Sequence, residues 1–355
     1  ETHQWVASDR DGEFFHYGLG KLGSSAAHIN QLHQGRAMCE IFGAFGWQEG
    51  VSLMKWLADF MLVRGINYFV PHAFSPKPGI DEDCPPHFYA HGQNPQFPGF
   101  RRLCRYMDRL ARLLDGGERP GCAAVLYHGE GEWGGRCMLT QKPMAALKKR
   151  QINADVVPVD ALAGGRLENG ELRIGRGRYT TLVIPYMEAA PAALLEGVKR
   201  LTDGGFPVFF VDGLPARESR GEPLDAGLLA GAQVVALTEL AGRLDGCRAV
   251  RCREDEPFLR AYRYRKGETD ILMLFNEHPT HPIETVVETG LRRPAARYDA
   301  MEDIWYRTEA DGGVIELDLA PQEARVYVFS DELDRAPLAE PPALDGGASR
   351  LELTG

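Results

Sequence analysis

The chain has 355 residues, 44% hydrophobic and 25% charged, an ordinary globular composition long enough for two or three domains. Its formal net charge of −10, with no basic stretch to offset it, excludes a nucleic-acid backbone as the main partner. No apolar run reaches the roughly 18 residues of a membrane span. The seven cysteines (Cys39, Cys84, Cys104, Cys122, Cys137, Cys247 and Cys252) form no CxxC pair. They read as mostly free thiols in a reducing compartment, hence a cytoplasmic protein.

In chain order, residues 1–17 are polar and irregular, with Trp5, Asp9, Asp11 and His16. The chain starts Glu1-Thr2-His3 without a methionine, so a preceding portion is expected. "LGKLGSSAAHIN" can form a short helix, and "RAMCE" is a strand that runs into Glu40. "GVSLMKWLADFMLVRG" places Leu53, Trp56, Leu57, Phe60 and Met61 at helical spacing, with Gly65 as the stop. "INYFVPHAF" is almost wholly apolar, the pattern of a strand buried on both faces. A long polar loop follows, and the helix "GFRRLCRYMDRLARLLDGG" closes the zone at Gly116-Gly117. Helix, strand, helix, strand, helix is the grammar of a parallel α/β sheet, whose active sites lie at the carboxyl ends of strands.

From "RPGCAAVLYHGEGEWGG" onward a second α/β unit is expected. Strands "CAAVLYH", "DVVPV", "TTLVIPY" and "PVFFVDG" alternate with helices "MAALKKRQI" and "PAALLEGVKRLTDGG", a small doubly wound domain. After residue 249 come strand-length pieces at short spacing with turn signals such as Lys266-Gly267 and Asp311-Gly312, an antiparallel β-sandwich pattern. The resulting division is 1–117, 118–248, 249–331 and a proline-rich irregular tail, 332–355.

Glu40 is the leading candidate for chemistry. A carboxylate at the exit of a buried parallel strand faces the mouth of an α/β barrel, where it can act as nucleophile or general acid/base. Cleavage of a glycosidic bond uses two such carboxylates around a cationic transition state. Trp47, with Phe42 and Phe45, suits the apolar face of a sugar ring. The competing reading of Glu40 is a salt-bridged residue at a strand end. His72, at the end of the next strand, should face the same mouth and could bond a hydroxyl, shuttle a proton or simply satisfy a core carbonyl. The following loop gathers Asp81, Asp83, His87, Tyr89, His91, Gln93 and Asn94, a density of polar groups suited to polyhydroxyl recognition. Their spacing matches no metal signature, so no metal is assigned.

Three other features are read as non-catalytic. His28 lies at the end of the helix before "RAMCE", on the face away from the strand exits, and is structural. The "GEGEWGG" loop lacks the Lys-Ser/Thr of a phosphate-binding loop, and Glu130 and Glu132 would repel phosphate, so no nucleotide cofactor is expected. Cys137 has no nucleophile elbow around it, and the turn after "TTLVIPY" reads Met187-Glu188-Ala189 with no cysteine.

"CEIFGAFGW", "RGINYFVPHAF" and "DCPPHFYAHGQNPQFPGFRRLCRYMDRLARLL" resemble the end of the catalytic barrel of retaining (β/α)8-barrel glycoside hydrolases. "AAVLYHGEGEWGG", "QINADVVPVDAL" and "LVIPYMEAAPAAL" resemble the non-catalytic, amidotransferase-like (flavodoxin-type) α/β domain that follows the barrel in one group of β-galactosidases. "ILMLFNEH" and "IELDLAPQEARVYVFS" resemble their terminal β-sandwich. The resemblance spans about residues 14–331. It implies a glycosidase acting on an oligosaccharide or glycoside, with Glu40 catalytic and Trp47, His72, Asp83, His87 and Tyr89 lining the sugar site. An α-rhamnosidase-like enzyme with inverting carboxylates is a related expectation.

Only two barrel strands are present where eight close a barrel. Residues 1–117 are therefore expected to be the remainder of a longer barrel, completed by a preceding portion or another chain, with a homo-oligomer as a further expectation, and inactive alone for want of the second carboxylate. The rival expectation is a non-catalytic carbohydrate-binding or oligomerisation module.

Overall fold

The computed structural model describes residues 14–43, 45–72, 87–121, 123–308, 310–335 and 337–340. The first part runs α1 (Phe14–Ile29), β1 (Met38–Ile41), α2 (Val51–Leu62), β2 (Tyr68–Pro71) and α3 (Phe97–Leu113). β1 and β2 pair in parallel as a two-stranded sheet. α2 is largely apolar and buried at Met54 and from Trp56 to Leu62. It ends where Ile66 N donates to Met61 O and Gly65 takes φ +91°, the glycine stop that the sequence implies. α3 buries Phe100, Leu103, Tyr106, Met107 and Leu110 along one stripe. Inside this layer Asp59 is buried but satisfied, accepting from Tyr106 Oη at 2.5 Å and Lys55 Nζ at 2.6 Å.

The second part holds a five-stranded parallel sheet of β3 (Ala123–Tyr127), β4 (Ala154–Pro158), β5 (Thr181–Ile184), β6 (Val208–Val211) and β7 (Gln233–Val235). Their spatial order is β7-β6-β5-β3-β4. Read along the chain this is the 2-1-3-4-5 order of doubly wound sheets. Fully buried Ala124, Leu126, Leu182 and Ile184 face one helical layer, and Ala123, Val125 and Val183 face the other. A three-stranded meander over residues 166–179 and the edge strand β7 carry weak sequence signals and were not anticipated. The "GEGEWGG" segment is a short helix, Gly129–Gly134, rather than a loop. The reason is packing. A Cβ on Gly131 would stand 3.1 Å from Met187 Cβ, so these glycines serve close approach more than flexibility.

The third part is antiparallel. β8 (Leu259–Lys266), β9 (Thr269–Asn276), β11 (Ala295–Asp299), β12 (Ile304–Arg307) and β14 (Ala324–Phe329) form a sheet in the order β8-β9-β14-β11-β12. β10 (Ile283–Glu288) and β13 (Val314–Leu319) pair in a second sheet. Leu272, Leu274, Tyr327 and Phe329 face that second sheet across a shared core with Val287, Ile315 and Leu317. The opposite face, with Tyr262, Ile271, Met273, Phe275, Val326 and Val328, packs on α2 and α3. Burial on both faces explains the near-continuous apolar run in β9. The start of the tail is less irregular than its composition implies, since Asp331–Arg335 form a helical turn and Ala339 pairs with the backbone of Trp305 and Arg307. Residues 341–355 lie outside the described residues.

Two buried ion clusters join the three parts. Glu277 accepts from Arg64, after α2, and from Arg260, on β8, each at 2.5 Å, with Lys148 at 3.5 Å. Asp155, on β4, meets Lys21, Ser25 and His28 of α1 at 2.9, 3.3 and 2.6 Å, together with Tyr179 and Arg119. Cys104, Cys137 and Cys252 carry free thiols, whereas Cys247 is in a disulfide, which the expectation of mostly free thiols did not single out. Among the described residues no helix is long and apolar enough to cross a membrane.

Candidate functional site

The β1–β2 register sets Met38 opposite Tyr68 and Glu40 opposite Val70. Parallel partners point to the same side, so these four share one face. That face is open: Met38 is 59% exposed, Tyr68 58% and Val70 43%, and Glu40 is exposed among them. The other face carries Cys39 and Ile41 into the core. The expectation that β2 is buried on both faces is therefore corrected. Nothing among the described residues covers the side that bears Met38, Glu40, Tyr68 and Val70. His72 keeps the same parity as Val70, and its amide donates to Ile41 O at 2.8 Å, which carries the ladder one residue past β2. Glu40 and His72 thus stand at the carboxyl ends of adjacent parallel strands.

The loops beyond those ends are pinned by aromatics. Phe42 takes φ +81° as the chain leaves β1 and is fully buried. Its ring meets Phe88 edge-on at 5.9 Å and Phe100 at 6.5 Å, while Phe88 and Phe100 stack at 3.9 Å. Phe42 is a core residue and not a wall of the mouth, a correction to its assignment as a sugar-stacking group. The cluster draws residues 87–89 back against the β1 exit. The exposed Trp47 ring lies 5.8 Å from that of His87.

The tripeptide Asn94-Pro95-Gln96 ties the two loops together. Asn94 Nδ2 donates to His87 O at 3.0 Å. Gln96 Nε2 donates to Glu49 O at 3.1 Å, and Gln96 Oε1 accepts from Val51 N at 3.2 Å. This junction contains the residue that sequence reasoning missed. Glu49 is 1% exposed, neither carboxyl oxygen has a hydrogen-bond partner, and burial pushes its pKa up to about 8. Its position just before an apolar helix reads as an ordinary helix-start acid, so nothing in the pattern singled it out. His87 is also buried, with both ring nitrogens unpartnered, and His72 Nδ1 is in the same condition. Each buried polar group left unpaired costs about 1–3 kcal/mol.

Tyr89 is half-buried and packs its ring on Phe97 at 5.3 Å. Asp83 and Asp81 lie outside the described residues. Among the described residues no three His, Cys, Asp or Glu side chains gather as a metal-binding group. His28, read as structural, holds Asp155 from the end of α1. The crevice at the switch point of the parallel sheet is filled by the chain itself: Cys137 bridges to Met187, and a Cβ on Gly134 would stand 3.0 Å from Ala189 Cβ.

No family model and no curated protein matches the chain. Solved structures do. The rhamnosidase from Novosphingobium sp. PP1Y superposes with a TM-score of 0.70 at 17% identity, over 91% of this chain and 34% of its own. The β-galactosidase from Bacillus circulans sp. alkalophilus gives 0.61 at 12%, over 92% and 59%. The alpha-L-fucosidase isoenzyme 2 from Paenibacillus thiaminolyticus gives 0.56 at 11%, over 86% and 62%. The chain spans between about a third and three-fifths of these proteins. Its fold is that of part of multidomain glycoside hydrolases, as the sequence resemblance implied.

Proposed function

We propose that this chain is part of a glycoside hydrolase in which β1 and β2 are two strands of a (β/α)8 catalytic barrel and Glu40 is one of the two catalytic carboxylates. The observation that carries the reading is the placement of Glu40 at a strand exit, on an open face it shares with Met38, Tyr68 and Val70. Alternate residues of barrel strands point into the barrel, which is a packed core of bulky side chains. A Met-Tyr-Val face that no described residue covers is what two such strands would leave when the other six lie elsewhere. The solved glycosidases, which extend well beyond the matched region, favour the same reading.

In this account residues 1–117 end the barrel, 118–248 are an amidotransferase-like domain without catalysis of its own, 249–331 are a supporting β-sandwich, and 332–355 are the tail. Trp47 and His72 border the sugar, with Asp83, His87 and Tyr89 assigned to the same rim. Glu40 is the nucleophile or the base, and its partner carboxylate comes from a strand outside this chain, at about 5–10 Å across the mouth. The 355-residue chain alone hydrolyses nothing. The test is an aryl-glycoside panel on the full-length gene product, wild type beside Glu40→Gln, with folding checked by melting temperature. Cleavage lost in the variant supports the reading. Equal activity in both removes Glu40 from the chemistry and favours a carbohydrate-binding module.

A further inference from the structure

Among the described residues the other buried carboxylates have hydrogen-bond or ion-pair partners. Asp155 has five side-chain partners, Glu277 has three cations and Asp59 has two donors. Glu49 breaks that pattern, and it does so at the carboxyl ends of β1 and β2, in a junction whose backbone is fixed by Gln96. The two bare nitrogens of His87 lie in the same junction, and the Trp47 ring stands beside that of His87, tilted, with centroids 5.8 Å apart. Segments 38–54, 66–72 and 87–100, which build this region, contain no Lys or Arg.

We propose that Glu49 and His87 form a concealed polar subsite of the mouth, uncovered when the Trp47 ring swings off His87, that receives the hydroxyl groups of a neutral sugar and rejects anionic sugars. The inference rests on the glycoside-hydrolase reading. A protonated carboxyl offers one donor and one acceptor, and a neutral imidazole offers the same pair, which together match the hydroxyls of a sugar ring. Burial of Glu49 keeps the proton in place at neutral pH. A uronate or a sulfated sugar would bring its charge to a region whose described residues provide no cation to pair with it, a desolvation that nothing offsets.

The experiment is ligand-observed saturation-transfer NMR on the full-length gene product with L-rhamnose, L-fucose, D-galactose and D-galacturonate, beside Glu49→Gln, Glu49→Leu and His87→Leu. Thermal melts are recorded on each variant. Wild type should bind at least one neutral sugar and not galacturonate. Glu49→Gln, which mimics the protonated acid, should stay within a few-fold of wild type. Glu49→Leu should lose at least ten-fold in affinity while its melting temperature rises by a few degrees, because an unpaired buried group is gone. Wild-type affinity in Glu49→Leu, or a fall in its melting temperature, overturns the subsite and leaves the glycosidase reading standing. Failure of wild type to bind any neutral sugar overturns both. Loss of hydrolysis in Glu40→Gln with unchanged binding in Glu49→Leu separates the two.

Discussion

Glu40 faces the same side of the sheet as Val70, its register partner across β1 and β2, and no described residue covers that side, while the reverse side is sealed into the core. A carboxylate beside an apolar, solvent-facing pair of parallel strands is an unusual surface. Isolated parallel pairs are rare, because parallel sheets are covered on both faces.

The Asp155 cluster should dominate the seating of α1 on the parallel sheet. Nearby Arg119 and Lys21 hold the Asp155 carboxyl well below the usual range against the opposing effect of burial. Asp155→Asn leaves those cations buried without their counter-charge, which costs about 3–5 kcal/mol. Guanidinium unfolding followed by tryptophan fluorescence measures it. Because the folded pKa is depressed, this stabilisation is complete above the unfolded value of 3.8 and is lost as pH falls through the lower folded value.

Glu49 predicts the opposite pH dependence. Its folded pKa of about 8 lies above the ordinary 4.5. The wild-type protein therefore loses stability as pH rises from 4.5 to 8, by roughly 3–5 kcal/mol across the window. Glu49→Gln should match wild type at pH 4.5 and exceed it at pH 8. Lys21, lowered to about 8, titrates in both proteins and cancels in the difference. Parallel melting curves across this pH range decide the point, and coincident curves would refute it.

Phe88 should matter more for the mouth than its place in a polar loop implies. It is buried between Phe42 and Phe100, and Phe88→Ala removes about 3–5 kcal/mol of packing. Faster hydrogen exchange at His87 and Tyr89 than in wild type would show that the stack holds this segment.

Gly175 tests the contact between α1 and the meander of residues 166–179. It has φ +57°, and a Cβ there would come into hard contact with the carbonyl of Ile29. Gly175→Ala should destabilise by about 1–3 kcal/mol or more, read as a lower melting temperature, whereas alanine at Gly170 meets no atom within 4 Å and carries only the strain of its φ of +80°.

Much of this was legible in the sequence. The helical stripe of α3, the apolar strands β3 and β5, and the alternation in β13 follow from periodicity alone, because each buries a defined face. The position of Glu40 and His72 at strand ends was legible too, since a polar residue ending an apolar strand is a local signal. Phe42 was misread because its aromatic neighbourhood suggested a mouth, while its burial depends on Phe88 and Phe100, roughly half a hundred residues away. Glu49 was missed for the complementary reason: an acid before a helix is unremarkable until its surroundings are shown to hold no partner. The short meander escaped because strands of three or four residues carry too little periodicity to register.

The measurement that bears most directly on the central claim is hydrolysis of an aryl-glycoside panel by the full-length gene product, with Glu40→Gln run in parallel. A catalytic Glu40 predicts cleavage of at least one sugar by wild type, and a loss of at least about a thousand-fold, roughly 4 kcal/mol of transition-state stabilisation, in a variant that melts as wild type does. Undiminished cleavage by the folded variant would contradict it.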